Sequence, residues 1–337
     1  MGSSGNCSNS SLFGSTTPAI DEKGCFLLQV NFDSAHYLDV AHILTSVINI
    51  VSSPTAVAGN FIVMFSVWKT PSLHTPSNVF ICCLAFSDLT VGLLAQPFFV
   101  IHKIGEISQR FDMYCTTRIL LESLGNVTTG ASVLTMCGMA VERCLALFFP
   151  LRYNEIVTIK RVLFAVACFW IFFIVLSVLR ISLMPPDIYH NIAIGIISMS
   201  LLSTYLAYVK ILQCVRKHER RIEIAMIEVT RSVSPGVLQM EQKAGNIKNI
   251  KRFKKSTVAM IFVLGFFTAC FLPFLCVKLA QKVLGYSTTV KTAYLYATTI
   301  AFLNSSLNPF VYFWRINSLR DVVKKVVKEK LCKKVVS

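Results

Sequence analysis

Charge is what this sequence has least of. Only 15% of its 337 residues are Asp, Glu, Lys or Arg, against about a quarter in soluble globular domains. Acidic residues are the scarcer sign, 17 beside 33 Lys and Arg. Such a chain cannot cover a large water-facing surface, which disfavours a soluble enzyme. It also lacks the polar composition of a disordered protein. The 12 cysteines are spread along the chain rather than packed into a small disulfide framework. The six histidines are scattered, and no phosphate loop, hydrolytic triad or metal-spaced His/Cys cluster stands out. No enzyme activity is expected. The excess is apolar: 54% of residues are hydrophobic. A net charge of +16 would fit nucleic acid, but the chain has too few charged residues to spread over such an interface, and no nucleic-acid partner is expected.

A membrane-spanning helix needs roughly 20 mostly apolar residues, because the hydrocarbon core is about 30 Å thick. Seven stretches qualify, at approximately 43–67, 78–102, 117–148, 161–183, 190–214, 256–280 and 290–314. The third opens with Arg118, Glu122 and Asn126, and hydropathy alone would not make it a span. The leader Met1 to Thr17 has no apolar segment of the signal-peptide kind, so the first span is expected to direct insertion. Its tripeptides at Asn6 and Asn9 match the glycosylation pattern, which chance also supplies. With the N-terminus outside, 25 of the 33 Lys and Arg fall on inner segments, the bias that fixes topology. The expected organisation is an outer segment 1–40, a bundle 41–315 with a basic inner loop at about 215–254, and an inner tail 316–337. That loop centres on Pro235-Gly236 and reads as disordered or partly helical. From Asn317 to Val336, Val pairs alternate with Lys pairs, which suits an amphipathic helix on anionic inner-leaflet lipid. Cys332 there is either a palmitoylation site or an unmodified thiol. The fold class is therefore an all-α membrane protein: a seven-transmembrane helix bundle with a short amphipathic eighth helix on the cytoplasmic face.

Polar residues inside spans are costly and tend to mark function. Gly59-Asn60 falls in the first span and Leu84-Ala85-Phe86-Ser87-Asp88 in the second. Glu142-Arg143-Cys144 closes the third, before Pro150-Leu151-Arg152-Tyr153. Trp170 is mid-fourth, Cys270-Phe271-Leu272-Pro273 lies in the sixth, and Asn304-Ser305-Ser306-Leu307-Asn308-Pro309-Phe310-Val311-Tyr312 in the seventh. In this order, each on its own span, these motifs resemble the rhodopsin-like family of G-protein-coupled receptors over about residues 40–332.

The resemblance implies a plasma-membrane receptor that turns binding of an extracellular ligand into activation of a heterotrimeric G protein. It gives Arg143 the role of a switch, restrained at rest and released toward the G protein, with Glu142 as its acidic neighbour. Tyr208 and Tyr312 match the family's two inner tyrosines. Pro273 removes a backbone hydrogen bond and kinks the sixth helix, whose inner end swings in the family; Phe271 stands where most members place Trp. Phe253 replaces a residue that is often acidic, so Glu142 should be the resting partner of Arg143 and basal activity should be raised. The resemblance brings Asn60, Ser132, Asn304 and Asn308 onto Asp88. That set suits either a sodium ion or a hydrogen-bonded network around a protonated carboxyl.

Several departures narrow the subfamily. Cys115 lies near the usual disulfide position on the third helix, but no cysteine occurs between Arg180 and Tyr189 to meet it. That short loop and a proline-free fifth span are similar to the melanocortin and adenosine-type cluster. Cys7 and Cys25 remain as outer cysteines. A Cys25–Cys115 bridge would clip the N-terminal segment over the pocket; free thiols or a Cys7–Cys25 loop stay open. Leu124-Gly125-Asn126 lacks the carboxylate of amine receptors, and Phe302 replaces the lysine of opsins, so a peptide, nucleoside or lipid ligand is favoured over an amine or retinal. The pocket candidates are Glu122, Asn126, Thr129, Lys278 and Tyr294. Glu122 either meets ligand or pairs with Arg118 one turn away; Lys278 either meets an acidic ligand or snorkels outward. The alternatives are a seven-span transporter or channel, although no inverted repeat is found, and a receptor-like protein that does not signal.

Overall fold

The structure, a computed structural model, describes residues 39–231, 237–285, 287–315 and 320–324. Among them lie seven long helices: α1 Asp39–Lys69, α2 Pro76–Ile107, α3 Phe111–Phe148, α4 Ile159–Ser182, α5 Pro186–Arg231, α6 Val237–Leu284 and α7 Thr288–Arg315. Local chemistry sets several boundaries. Thr75 caps α2 by accepting from the Asn78 amide, and Pro76 fills the first helical position, where a missing N–H costs nothing. Thr158 caps α4 in the same way through the Arg161 amide. Gly285, at φ +72, stands just past the end of α6 in the left-handed region that favours glycine.

Helix α1 packs on α2 and α7, α7 on α6, and α6 on α5; α3 touches α2, α4 and α5 and so runs through the middle. The largest apolar core lies between α2, α3, α6 and α7, built on Ile81, Leu84, Met136, Met139, Leu264, Phe267, Phe271 and Tyr312. Outward faces carry Trp68, Phe164, Ile171, Val178 and Trp314, all exposed in the isolated chain. An apolar exterior around a polar-seamed interior is what a bilayer solvent demands.

Among the described residues, six helices are long and apolar enough to cross a membrane, and α3 is one of them. Arg118 and Glu122 lie near its start and Glu142 and Arg143 near its end, and the stretch between them is apolar enough to span. The helix that falls short is α7, because Thr292, Thr298, Thr299, Asn304, Ser305, Ser306 and Asn308 lower its hydropathy. Those side chains face the protein interior or the edge of it, so the segment packs as the seventh member without a lipid-like composition.

The basic stretch about 215–254 is more helical than a loop reading implied. Helix α5 continues to Arg231 and α6 begins at Val237. Within the tail only residues 320–324 are described. They are helical, but Val323 is buried in the main core rather than presented to lipid. Asn6, Asn9, Cys25, Cys332 and Pro235-Gly236 lie outside the described residues.

Candidate functional site

At one end of the bundle, Arg143 is buried on α3. Its Nε lies 3.2 Å from Glu142 Oε2. The other Glu142 oxygen accepts from Ser77 Oγ at 2.8 Å and from the Tyr153 hydroxyl at 2.5 Å. Two hydroxyl donors and one ion-paired guanidinium thus converge on a carboxylate that is 2% exposed. Burial, reinforced by that carboxylate, holds the Tyr153 phenol well above its ordinary range, so it stays protonated and donates to Glu142. Glu142 is the partner that the sequence reading gave Arg143. The side chains of Phe253 and Tyr208 are not among those described.

Near the middle, Asn308 Nδ2 donates to Asp88 Oδ2 at 2.7 Å, and Ser305 is a second hydrogen-bonding neighbour of that carboxyl. Asn60 makes no described hydrogen bond to Asp88. Its amide donates to the carbonyls of Ala56 at 2.9 Å and Ser305 at 2.8 Å. The reason is backbone arithmetic. Pro309 has no N–H, so the carbonyl four residues earlier, Ser305, loses its helical donor, and Asn60 replaces it. Gly59 makes the approach possible: a Cβ there would stand 2.8 Å from Pro309 Cγ. Ser132 and Asn304 are buried nearby in α3 and α7 but make no described side-chain bond to Asp88. Tyr312 is fully buried, with its hydroxyl unbonded among the described residues. Phe271 stacks on Phe267 at 4.3 Å, just before Pro273.

A polar seam between α1, α2 and α7 went unnoticed in the sequence. Gln96 Nε2 donates to Ser52 Oγ at 2.8 Å and to Asn49 Oδ1 at 3.3 Å. Asn49 donates to Thr299 Oγ1 at 3.3 Å, and Ser306 Oγ to the Ser52 carbonyl at 2.9 Å. Where α2 loosens into a π-helical turn at Val91–Ala95, Ser53 Oγ donates to the Gly92 carbonyl at 2.8 Å. The only sequence signal was a glutamine before Pro97 inside an apolar run.

At the opposite end lies a second unforeseen cluster. Glu106, 1% exposed, accepts from Lys103 Nζ at 2.8 Å and faces Lys291 Nζ at 2.5 Å, with His42 Nε2 at 3.7 Å. It joins α1, α2 and α7 through buried charge. The Lys103/Glu106 spacing of three was visible in the sequence, but the arrival of Lys291 and His42 is a tertiary fact.

The pocket candidates gather partly at this same end. Arg118 Nε lies 3.0 Å from Glu122 Oε1, so the within-helix pair forms. Lys278 turns inward: its Nζ sits 4.6 Å from the centre of the Tyr294 ring and 5.7 Å from that of Phe274. Asn126 and Thr129 are half-buried on α3. Cys115 is disulfide-bonded, and the eight other described cysteines are free thiols, so its partner lies outside the described residues.

The described family model 7 transmembrane receptor (rhodopsin family) matches residues 59–190 and 180–312. It begins at the Gly59-Asn60 pair and ends at Tyr312, spanning the contacts above. The chain belongs to this family, and it is a G-protein-coupled receptor. It is 24% identical over 308 residues to the adenosine receptor A2b of Gallus gallus, covering 85% of this chain and 89% of that one. Against the adenosine receptor A2b of Homo sapiens it is 26% identical over 312 residues, 86% of this chain and 91% of the relative. The histamine H2 receptor of Cavia porcellus is 26% identical over 294 residues, 81% and 76% of the two chains.

Proposed function

We propose that the Arg143 end is the cytoplasmic, G-protein-coupling face of a plasma-membrane receptor, and that the Glu106 end, with the N-terminus, faces outside. The observation that carries this is the buried Arg143–Glu142 pair, closed by Ser77 and Tyr153. It is a charge held in a restraint that can be broken. Release of Arg143, with the inner end of α6 moving about Pro273, opens the coupling cleft; Phe271, Asn308, Pro309, Tyr208 and Tyr312 carry the change between helices. The basic inner segments favour this orientation on anionic lipid.

Asp88 fits a sodium ion. Hydrogen bonds fix the amide nitrogens of Asn60 and Asn308, which turns both amide oxygens elsewhere; these and Asn304 Oδ1 are buried without a described hydrogen bond. An oxygen-only donor set beside a carboxylate suits a small hard cation. On the outside, Cys25 bridges Cys115 and draws the N-terminal segment over the pocket of Glu122, Asn126, Thr129, Lys278 and Tyr294. Asn6 and Asn9 carry glycans, and Cys332 a palmitoyl anchor. A peptide, nucleoside or lipid fits this pocket better than an amine.

Nucleotide exchange in membranes from cells expressing the chain tests the coupling reading. Signal is expected from the native chain and none from Arg143→Ala at equal surface expression; full exchange in that variant overturns it.

A further inference from the structure

Arg180 sits in the last turn of α4, on the stripe formed by Phe173, Leu176, Ser177 and Arg180, which is the buried face of that helix. The outward face carries Ile171, Ile174, Val175 and Val178. The guanidinium therefore points into the bundle. It is 6% exposed, yet among the described residues it has no carboxylate partner and no hydrogen bond; the one cation–π contact it makes there is with the Tyr189 ring, 5.6 Å to the centre. A helix C-terminus favours a cation only weakly, and a cation–π contact recovers only part of the hydration lost by a buried guanidinium. A buried arginine left in this condition marks a place for an anion.

The surroundings point the same way. Tyr189 lies within electrostatic reach of Glu122 and Tyr294 as well as Arg180. Burial pushes its phenol well above the ordinary range, and Glu122 and Tyr294 add to this while Arg180 opposes it. Lys278 covers Tyr294, as Arg180 covers Tyr189. Glu122, the carboxylate that influences Tyr189, is already paired with Arg118. Two tyrosines, each capped by a cation, and Phe274 beside them offer aromatic walls with unspent positive charge.

We infer that this receptor's ligand is a small organic anion, a carboxylate or phosphate on an aromatic or apolar body, held by Arg180 with Lys278 as the second contact. The inference rests on the receptor reading and names the ligand class of the same pocket.

Melting curves of the purified full chain in detergent, titrated with phenylacetate, phenyl phosphate and neutral phenylacetamide, test it. A saturable rise with at least one anion, absent with the amide, is expected; which anion acts separates carboxylate from phosphate chemistry. Arg180→Gln should weaken half-saturation about tenfold or more, and Arg180→Lys should recover part of it. Without probe, Arg180→Gln should melt no lower than the native chain, since it removes a buried charge without a counter-charge. Lys278→Gln, at a half-buried position, should weaken the same curve and decides the matter if Arg180→Gln does not fold. Equal stabilisation by the amide, no probe-dependent shift, an unchanged curve in the variants, or a lower melting point of unliganded Arg180→Gln overturns the inference. Basal nucleotide exchange, blocked by Arg143→Ala, is read from the same preparations and reports the receptor reading separately.

Discussion

The Asn60 amide donates to the Ser305 carbonyl at 2.8 Å, the oxygen that Pro309 deprives of its helical donor. One side chain on α1 thereby completes the backbone of α7. Asn60→Ala leaves that buried carbonyl unpaired, which costs about 1–3 kcal/mol. Thermal unfolding of the purified variant should show the loss; a melting point equal to the native one would show that the carbonyl finds another donor.

Gly130 faces Phe173 so closely that a Cβ would lie 2.3 Å from the ring. Gly130→Ala should destabilise by about 1–3 kcal/mol through overpacking. Adding Phe173→Leu should recover much of this, because the ring atoms that clash are removed. An unrescued double variant would place the strain in the α3 backbone instead.

Glu106 is the described counter-charge for two buried lysines. Glu106→Gln should cost about 3–5 kcal/mol, the usual result of breaking a buried pair from one side. The combined Lys103→Met, Glu106→Leu, Lys291→Met chain should be more stable than Glu106→Gln alone. Surface expression and melting point together check both.

Tyr153→Phe removes one of the two hydroxyl donors on Glu142. A hydrogen bond to a charged group is worth about 1.5–3 kcal/mol, so the balance between restrained and released Arg143 should shift by about tenfold to a hundredfold. Ligand-independent nucleotide exchange should rise, and Glu142→Gln should raise it further. Exchange unchanged in both would remove Glu142 as the restraint.

Sodium at Asp88 should make stability ion-dependent. Replacing potassium by sodium at constant ionic strength should raise the melting point of the native chain and leave Asp88→Asn unaffected. An identical response in the two chains would leave Asp88 with the hydrogen-bonded network alone.

Helix number and position were legible because seven apolar runs have one physical cause, the thickness of the hydrocarbon core. Hydropathy alone passes α3 in spite of its polar start but falls short for α7, since it cannot see which face of a helix meets protein and which meets lipid. The Arg143–Glu142 pair was legible from adjacency, and Arg118–Glu122 from helical spacing. Asn60 was legible as a residue of the Asp88 set, but not as the donor to Ser305. Its partner is a carbonyl, and backbone groups leave no mark in a list of side chains. Gln96 and the Lys291–Glu106 contact were missed because residues far apart in the chain, 44 positions for Gln96 and Ser52, meet only after the helices pack.

The bonds of the α1–α2–α7 seam are directional, and each demands a fixed register between the helices it joins. The described contacts of α6 near Phe267 and Phe271 are with ring and aliphatic surfaces, which tolerate sliding. The bundle is thus divided by the kind of glue it uses. Three helices form a chassis that must move as one piece, and any large rearrangement falls to the side held by grease.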